Sequence, residues 1–313
     1  MPETQPLDTP LLDLTDASLA RPLQPALVRA RADALAAAEA ILRIPEAAFA
    51  RPWTWIGGGE DEIRFGAYHA AEILEVAELE ARAFVSGADR DETHAARKMG
   101  PATAAAWDLL GLLFPLAEDR FDADPGGGEW TVRQTMGHVI TGQRAYAWST
   151  AWWAANPHYP GDPDLPRAVP DSLFATLPDE MTEAHGTNAT VRADLREILD
   201  LSAERLAGSP DDRLELPARW AGFPVTVGFR IGRWSSHLRE HTIQVEKTLA
   251  MLDDVPSEGE RLARQLLAAY GRAESAVFGR GSSDAVTSAA ERIASGAAEA
   301  LETVQRARAA AGS

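Results

Sequence analysis

The stretch Trp234-Ser235-Ser236-His237-Leu238-Arg239-Glu240-His241 places two histidines four residues apart. On an α-helix such a pair lies on one face, with about 5–6 Å between Cβ atoms. Trp234, His237, His241, Val245, Thr248 and Leu252 continue the same spacing, and a stripe of this kind is the face that a helix turns toward a core. The segment from about Val227 to Leu252 therefore reads as a long helix whose two histidines point inward.

Upstream, Thr131 and Gln134 have the spacing of a capping box, in which each side chain satisfies a backbone donor left bare at a helix start. The helix that follows runs to about Ala155, with Thr135, His138, Val139 and Gly142 on one face, so His138 also looks inward. Helical periodicity marks further segments at about 25–44, 61–84, 103–117 and 190–206, and two more after Pro256, broken at Gly279-Arg280-Gly281. That makes eight helices and no convincing strand. The fold class is all-α. Helices three to six form one four-helix bundle, and the first two with the last two form a second, split in sequence by the other. Residues 1–22 read as a flexible lead-in. Residues 156–189, with six prolines, His158 and His185, form a connection long enough to be a lid or a binding loop, or simply a solvated one.

Composition limits the function classes. The chain has 313 residues and a net charge of −17, a balance that repels phosphate backbones and anionic lipid. No basic patch offsets it, so neither nucleic acid nor membrane is an expected partner. There is no cysteine, which excludes thiolate metal sites and disulfides. Met1 to Ala20 lacks the basic start and apolar run of a signal peptide. No apolar run reaches the roughly 20 residues that span a bilayer, and a cytoplasmic location is expected. The excess of Arg over Lys suggests a GC-rich bacterial genome.

Three inward histidines on two neighbouring helices are costly without a partner. A single inward histidine is more often a hydrogen-bonded core residue than a ligand. The pair, its apolar stripe and the third histidine together point to one divalent metal held by His138, His237 and His241. Imidazole nitrogens accept Zn²⁺, Ni²⁺, Fe²⁺ or Cu²⁺, and affinity alone does not choose among them.

The run Trp130-Thr131-Val132-Arg133-Gln134 followed by Gly137-His138, and the later His237-x-x-x-His241-x-x-Gln244, resemble the second and fourth helices of DinB-like four-helix bundles. The resemblance covers about residues 100–252. It implies a metal-binding triad at His138, His237 and His241, with Gln244 supporting a ligand from outside. It sets residues 100–255 as the metal-binding bundle and 23–99 with 256–313 as flanking helices. Several members of that family are transferases or isomerases using mycothiol or bacillithiol, and others have no known activity. The resemblance thus implies a metal (Zn, Ni or Fe) that activates a small-molecule thiol toward an electrophilic substrate, or else a non-catalytic metal or small-molecule binder related to stress. A homodimer is compatible with it.

A rival pattern overlaps the same residues. His237-x-x-Glu240-His241 matches the inverted zincin motif, in which the Glu activates a metal-bound water. That reading requires a downstream carboxylate ligand, for which Glu274, Glu291, Glu299 and Glu302 are available. Tyr68-His69-x-x-Glu72 echoes the His138 helix as a degenerate or structural copy. Trp148, Trp152 and Trp153 read as packing, while Trp220, Phe223 and Arg230 are candidates for the rim of the metal pocket, with ordinary packing the default.

Overall fold

A computed structural model describes residues 9–55, 58–86, 92–162, 165–175 and 177–312. Residues 1–8 of the lead-in, Gly57, Asp89–Asp91 and Pro163 lie outside these. In chain order the helices are α1 (Thr9–Leu14), α2 (Pro25–Leu42), α3 (Arg64–Ser86), α4 (His94–Leu113), α5 (Glu118–Phe121), α6 (Val132–Ala155), α7 (Asp171–Phe174), α8 (Glu180–Glu183), α9 (Asn188–Leu206), α10 (Asp211–Leu214), α11 (Val227–Met251), α12 (Glu258–Ser275) and α13 (Asp284–Gly312). The eight long ones are the eight that periodicity marks, and the architecture is all-helical.

Four corrections apply to the sequence reading. First, two small antiparallel hairpins are present, β1 (Pro52–Thr54) with β2 (Glu60–Glu62), and β3 (Pro217–Trp220) with β4 (Phe223–Thr226). The second turns through Ala221 and Gly222, both at positive φ (45° and 85°), the backbone that matches the twist of a two-residue hairpin. Alanine rarely adopts it, and Pro217 and Pro224 disguise the flanking strands. Second, α4 begins at His94 rather than Thr103, with the Thr93 side chain accepting from Ala96 N at 3.0 Å. Pro101 sits inside α4, where it removes a backbone donor, and packing of this helix against α11 and α12 outweighs that loss. Third, the described part of the lead-in carries α1, with Leu11 fully buried. Fourth, the described residues of the 156–189 connection are partly helical, and α8 packs on α6.

α4, α6, α9 and α11 contact one another around a shared interior, as do α2, α3, α12 and α13, and α4 against α12 joins the two sets. A continuous apolar core runs through both. Its largest members include Trp107, Trp148 and Trp234, all essentially inaccessible; burying a ring of that size is worth on the order of 4 to 6 kcal/mol. Trp152 is only partly buried against that core.

Polar groups are buried alongside this core as well, and one of them ties several helices together. Glu274 of α12 is completely buried and accepts from Arg31 Nε and Nη2 at 2.9 and 2.8 Å, Thr103 Oγ1 at 2.6 Å and the Tyr270 hydroxyl at 2.7 Å. Arg31 also donates to Asp200 at 2.5 and 2.8 Å. Burial pushes the Glu274 carboxyl up, but the Arg31 charge and the three donors outweigh it and hold its pKa below the ordinary value. The network ties α2, α4, α9 and α12 together.

Glu274→Gln is expected to lower the unfolding free energy by about 3–5 kcal/mol, because it leaves a buried guanidinium short of its counter-charge; urea melts of the two proteins check this. A carboxyl with a depressed folded pKa stabilises above its unfolded value and loses that contribution as pH falls through the folded one. The gap between wild type and Glu274→Gln should therefore hold as the melts are repeated from pH 7 down to pH 4.5 and narrow only below that.

Candidate metal centre

The start of α6 is set by the anticipated capping box. Thr131 Oγ1 accepts from Gln134 N at 3.1 Å, and Gln134 Oε1 accepts from Thr131 N at 2.9 Å. The same turn is fastened to α11, since Thr248 Oγ1 donates to Trp130 O at 3.1 Å and Lys247 pairs with Glu129 at 2.6 Å. With α6 and α11 pinned there, His138 from one helix faces His237 and His241 from the other.

The ring centroids of His138 lie 5.4 Å from His237 and 4.8 Å from His241, and the latter two are 4.4 Å apart. One nitrogen from each of the three falls within 4.8 Å of the others. The Nε2 atoms of His237 and His241 are 3.0 Å apart. Nitrogens sharing a tetrahedral Zn²⁺ at 2.0–2.1 Å are separated by about 3.3 Å, so the cluster is nearly at ligation distance. No other cluster of three or more such groups occurs among the described residues.

Close approach of the helices makes this possible. An added Cβ on Gly142 would lie 2.8 Å from His237 Cε1, so only glycine leaves the imidazole its place beside α6. His237 alone of the three is buried, while His138 and His241 are half-buried. The expectation of three buried rings is corrected to one buried and two that border solvent. Burial, reinforced by His241, His138 and Arg233, pushes the His237 pKa down to about 3. Burial also lowers that of His241, against the opposing hydrogen bond to Gln244. Neutral imidazole is the form that ligates a metal, and the tertiary environment favours it.

The far nitrogens are also engaged. Gln244 Oε1 lies 2.8 Å from His241 Nδ1, in the supporting position anticipated for it. Glu180 Oε1 of α8 lies 2.8 Å from His138 Nδ1, a contact sequence reasoning missed, because the two residues are separated by a Pro-rich connection with no periodicity to place them. Tyr146 was missed too, although it continues the His138–Gly142 spacing. Its ring is 5.2 Å from that of His237, and its hydroxyl accepts from Trp220 Nε1 at 3.3 Å. Trp130 flanks His138 at 5.2 Å.

The remaining candidates lie elsewhere. Arg230 is buried and spends its guanidinium on Thr150 Oγ1, Ser149 Oγ and Arg219 O at 3.2, 2.5 and 2.5 Å, a structural rather than a rim position. Phe223 is exposed in its hairpin. Glu240 pairs with Arg233 at 2.5 Å. Of the acids that an inverted zincin would need, Glu274 is locked in the core, Glu291 pairs with Arg29, Glu302 pairs with Arg306 and Glu299 is exposed. None joins the histidines. His69 bonds Glu72 at 3.0 Å and packs on Trp55, His158 faces Asp162 at 3.3 Å, and His185 is exposed.

Residues 102–245 match the family model described as the DinB superfamily, and this segment, which contains all three histidines, is a DinB-like domain. No curated protein and no solved structure matches the chain. No helix among the described residues is long and apolar enough to cross a membrane.

Gly142→Ala is expected to displace the His237 ring and to weaken Zn²⁺ binding about tenfold or more, comparable to losing an outer partner of a ligand. Competition against a chromophoric chelator measures this, with unchanged far-ultraviolet circular dichroism as the control.

Proposed function

We infer that the protein is a divalent-metal-dependent enzyme that acts on a small-molecule thiol, with His138, His237 and His241 as the metal ligands. The observation that carries this reading is the convergence of three imidazole nitrogens within 4.8 Å, inside the segment that matches the DinB superfamily. Three protein ligands leave coordination positions open, the arrangement of catalytic rather than structural sites. A metal held there lowers the pKa of a coordinated thiol and so makes it a better nucleophile at neutral pH.

The thiol comes from outside the protein, since the chain has no cysteine; mycothiol and bacillithiol are the candidates. The half-buried faces of His138 and His241 give it a route in. Trp130 and Tyr146 border the cluster with aromatic surface, and Arg233 lies over Trp220 with its guanidinium 5.2 Å from the ring centroid. Trp130 and Tyr146 thus offer an apolar wall to a substrate, and Arg233, already paired with Glu240, supplies a polar neighbour rather than a free cation. Gln244 engages His241 at Nδ1, with Nε2 turned toward the cluster. Three nitrogen donors without sulfur suit Zn²⁺, Ni²⁺ or Fe²⁺.

The test begins with elemental analysis of tag-free protein. About one metal per chain in wild type, lost in His237→Ala and in His138→Ala, is the expected result. Thiol conjugation of a model electrophile that requires the metal then supports the transferase, whereas metal and thiol binding without turnover supports a non-catalytic binder. A wild type that carries no metal and takes up neither Zn²⁺ nor Ni²⁺ defeats the assignment.

A further inference from the structure

The connection between α6 and α9 sets a carboxylate against the histidine cluster from outside both helices that carry it. Glu180 begins α8, and its Oε1 lies 2.8 Å from His138 Nδ1. The contact is built rather than incidental, because α8 is seated on α6 by independent interactions. Glu183, one turn further on, pairs with Arg144 at 2.5 and 3.1 Å, and both side chains are almost wholly buried. Arg133 donates to Ala184 O and Gly186 O at 2.5 and 2.7 Å. Gly137 provides the seat itself, since an added Cβ there would lie 2.2 Å from Glu180 O.

A carboxylate only accepts hydrogen bonds, so His138 donates Nδ1–H to Glu180 and keeps its lone pair on Nε2. Gln244 imposes the same tautomer on His241 when its amide oxygen is the acceptor. The two outer partners differ in kind, one charged and one neutral. A negative acceptor makes the imidazole a better donor to a cation and fixes its plane. Glu180 itself is not in the group of ligating atoms.

We propose that Glu180 is a positioning residue for the metal centre, holding His138 as the Nδ1–H tautomer with Nε2 presented to the ion, and that the seat of α8 on Gly137 makes that short helix part of the site. This rests on the metal assignment made above. It makes metal affinity depend on a segment that carries no ligand. The dependence is mechanical as well as electrostatic, since anything that lifts α8 from α6 also withdraws the carboxylate.

The experiment titrates wild type, Glu180→Ala, Glu180→Gln, Gly137→Ala and His237→Ala with Zn²⁺ against a chromophoric chelator and with Co²⁺ by visible absorption, circular dichroism serving as the check on folding. Glu180→Ala is expected to weaken Zn²⁺ binding about 10–100-fold and to alter the Co²⁺ spectrum. Glu180→Gln is expected to lose less, because its amide oxygen still accepts from Nδ1–H. Gly137→Ala is expected to weaken binding with Glu180 still present, because α8 is displaced. Wild-type affinity and spectrum in Glu180→Ala overturn the proposal. So does loss of metal as complete as in His237→Ala, which would make Glu180 a ligand. A wild type that binds neither ion overturns the metal assignment and this inference with it, and that failure is read from the wild-type titration alone.

Discussion

The buried carboxylate of Glu274 is the constraint on which the arrangement of helices depends. A charge without water is tolerable only where its lone pairs are met and an opposite charge is adjacent, and Arg31, Thr103 and Tyr270 meet those conditions from three helices. Asp200 engages the other side of Arg31 from a fourth. Apolar contacts between alanine-rich helices are tolerant of sliding, whereas this network has one geometry. It therefore fixes α2 and α12 against α4 and α9, and α4 and α9 in turn surround α6 and α11, which bear the histidines.

Within that frame the cluster is a matter of distance. α6 and α11 come close enough at Gly142 for the His237 ring to occupy the space where a side chain would stand. The ring enters a dry environment that disfavours its protonation, and the neighbouring imidazoles and Arg233 add to the effect. Three rings with converging nitrogens and outward hydrogen bonds at Nδ1 of His138 and His241 form a donor set suited to a cation. A predominantly negative protein also lowers the cost of drawing a cation in.

The long helices were legible because each buries one stripe, and the period of that stripe is written in the residues. The capping box at Thr131 was legible because it is a local exchange of hydrogen bonds over four residues. The β3–β4 hairpin was not, since its turn needs positive φ at Ala221, a conformation that alanine adopts only when strand pairing supplies the stabilisation. The first turns of α4 were hidden by Pro101, a residue that ordinarily ends a helix and here is retained by packing. Nor was the burial of Glu183 against Arg144 legible, since the pair closes across 39 residues of the chain.

By itself the sequence determined the helical class, the existence and order of the eight long helices and the identity of the three histidines that meet. Those properties follow from residue spacing, which local backbone geometry converts directly into faces. Only the tertiary structure decided that His237 is buried while His138 and His241 border solvent, that Gly142 makes room for a ring, and that Glu180 and Tyr146 belong beside the cluster. Nor could the sequence reveal that Glu274, on paper a candidate ligand, is spent in the core. Each of these depends on which surfaces come within a few ångströms of one another. The packing of the whole chain sets that, and no local pattern encodes it.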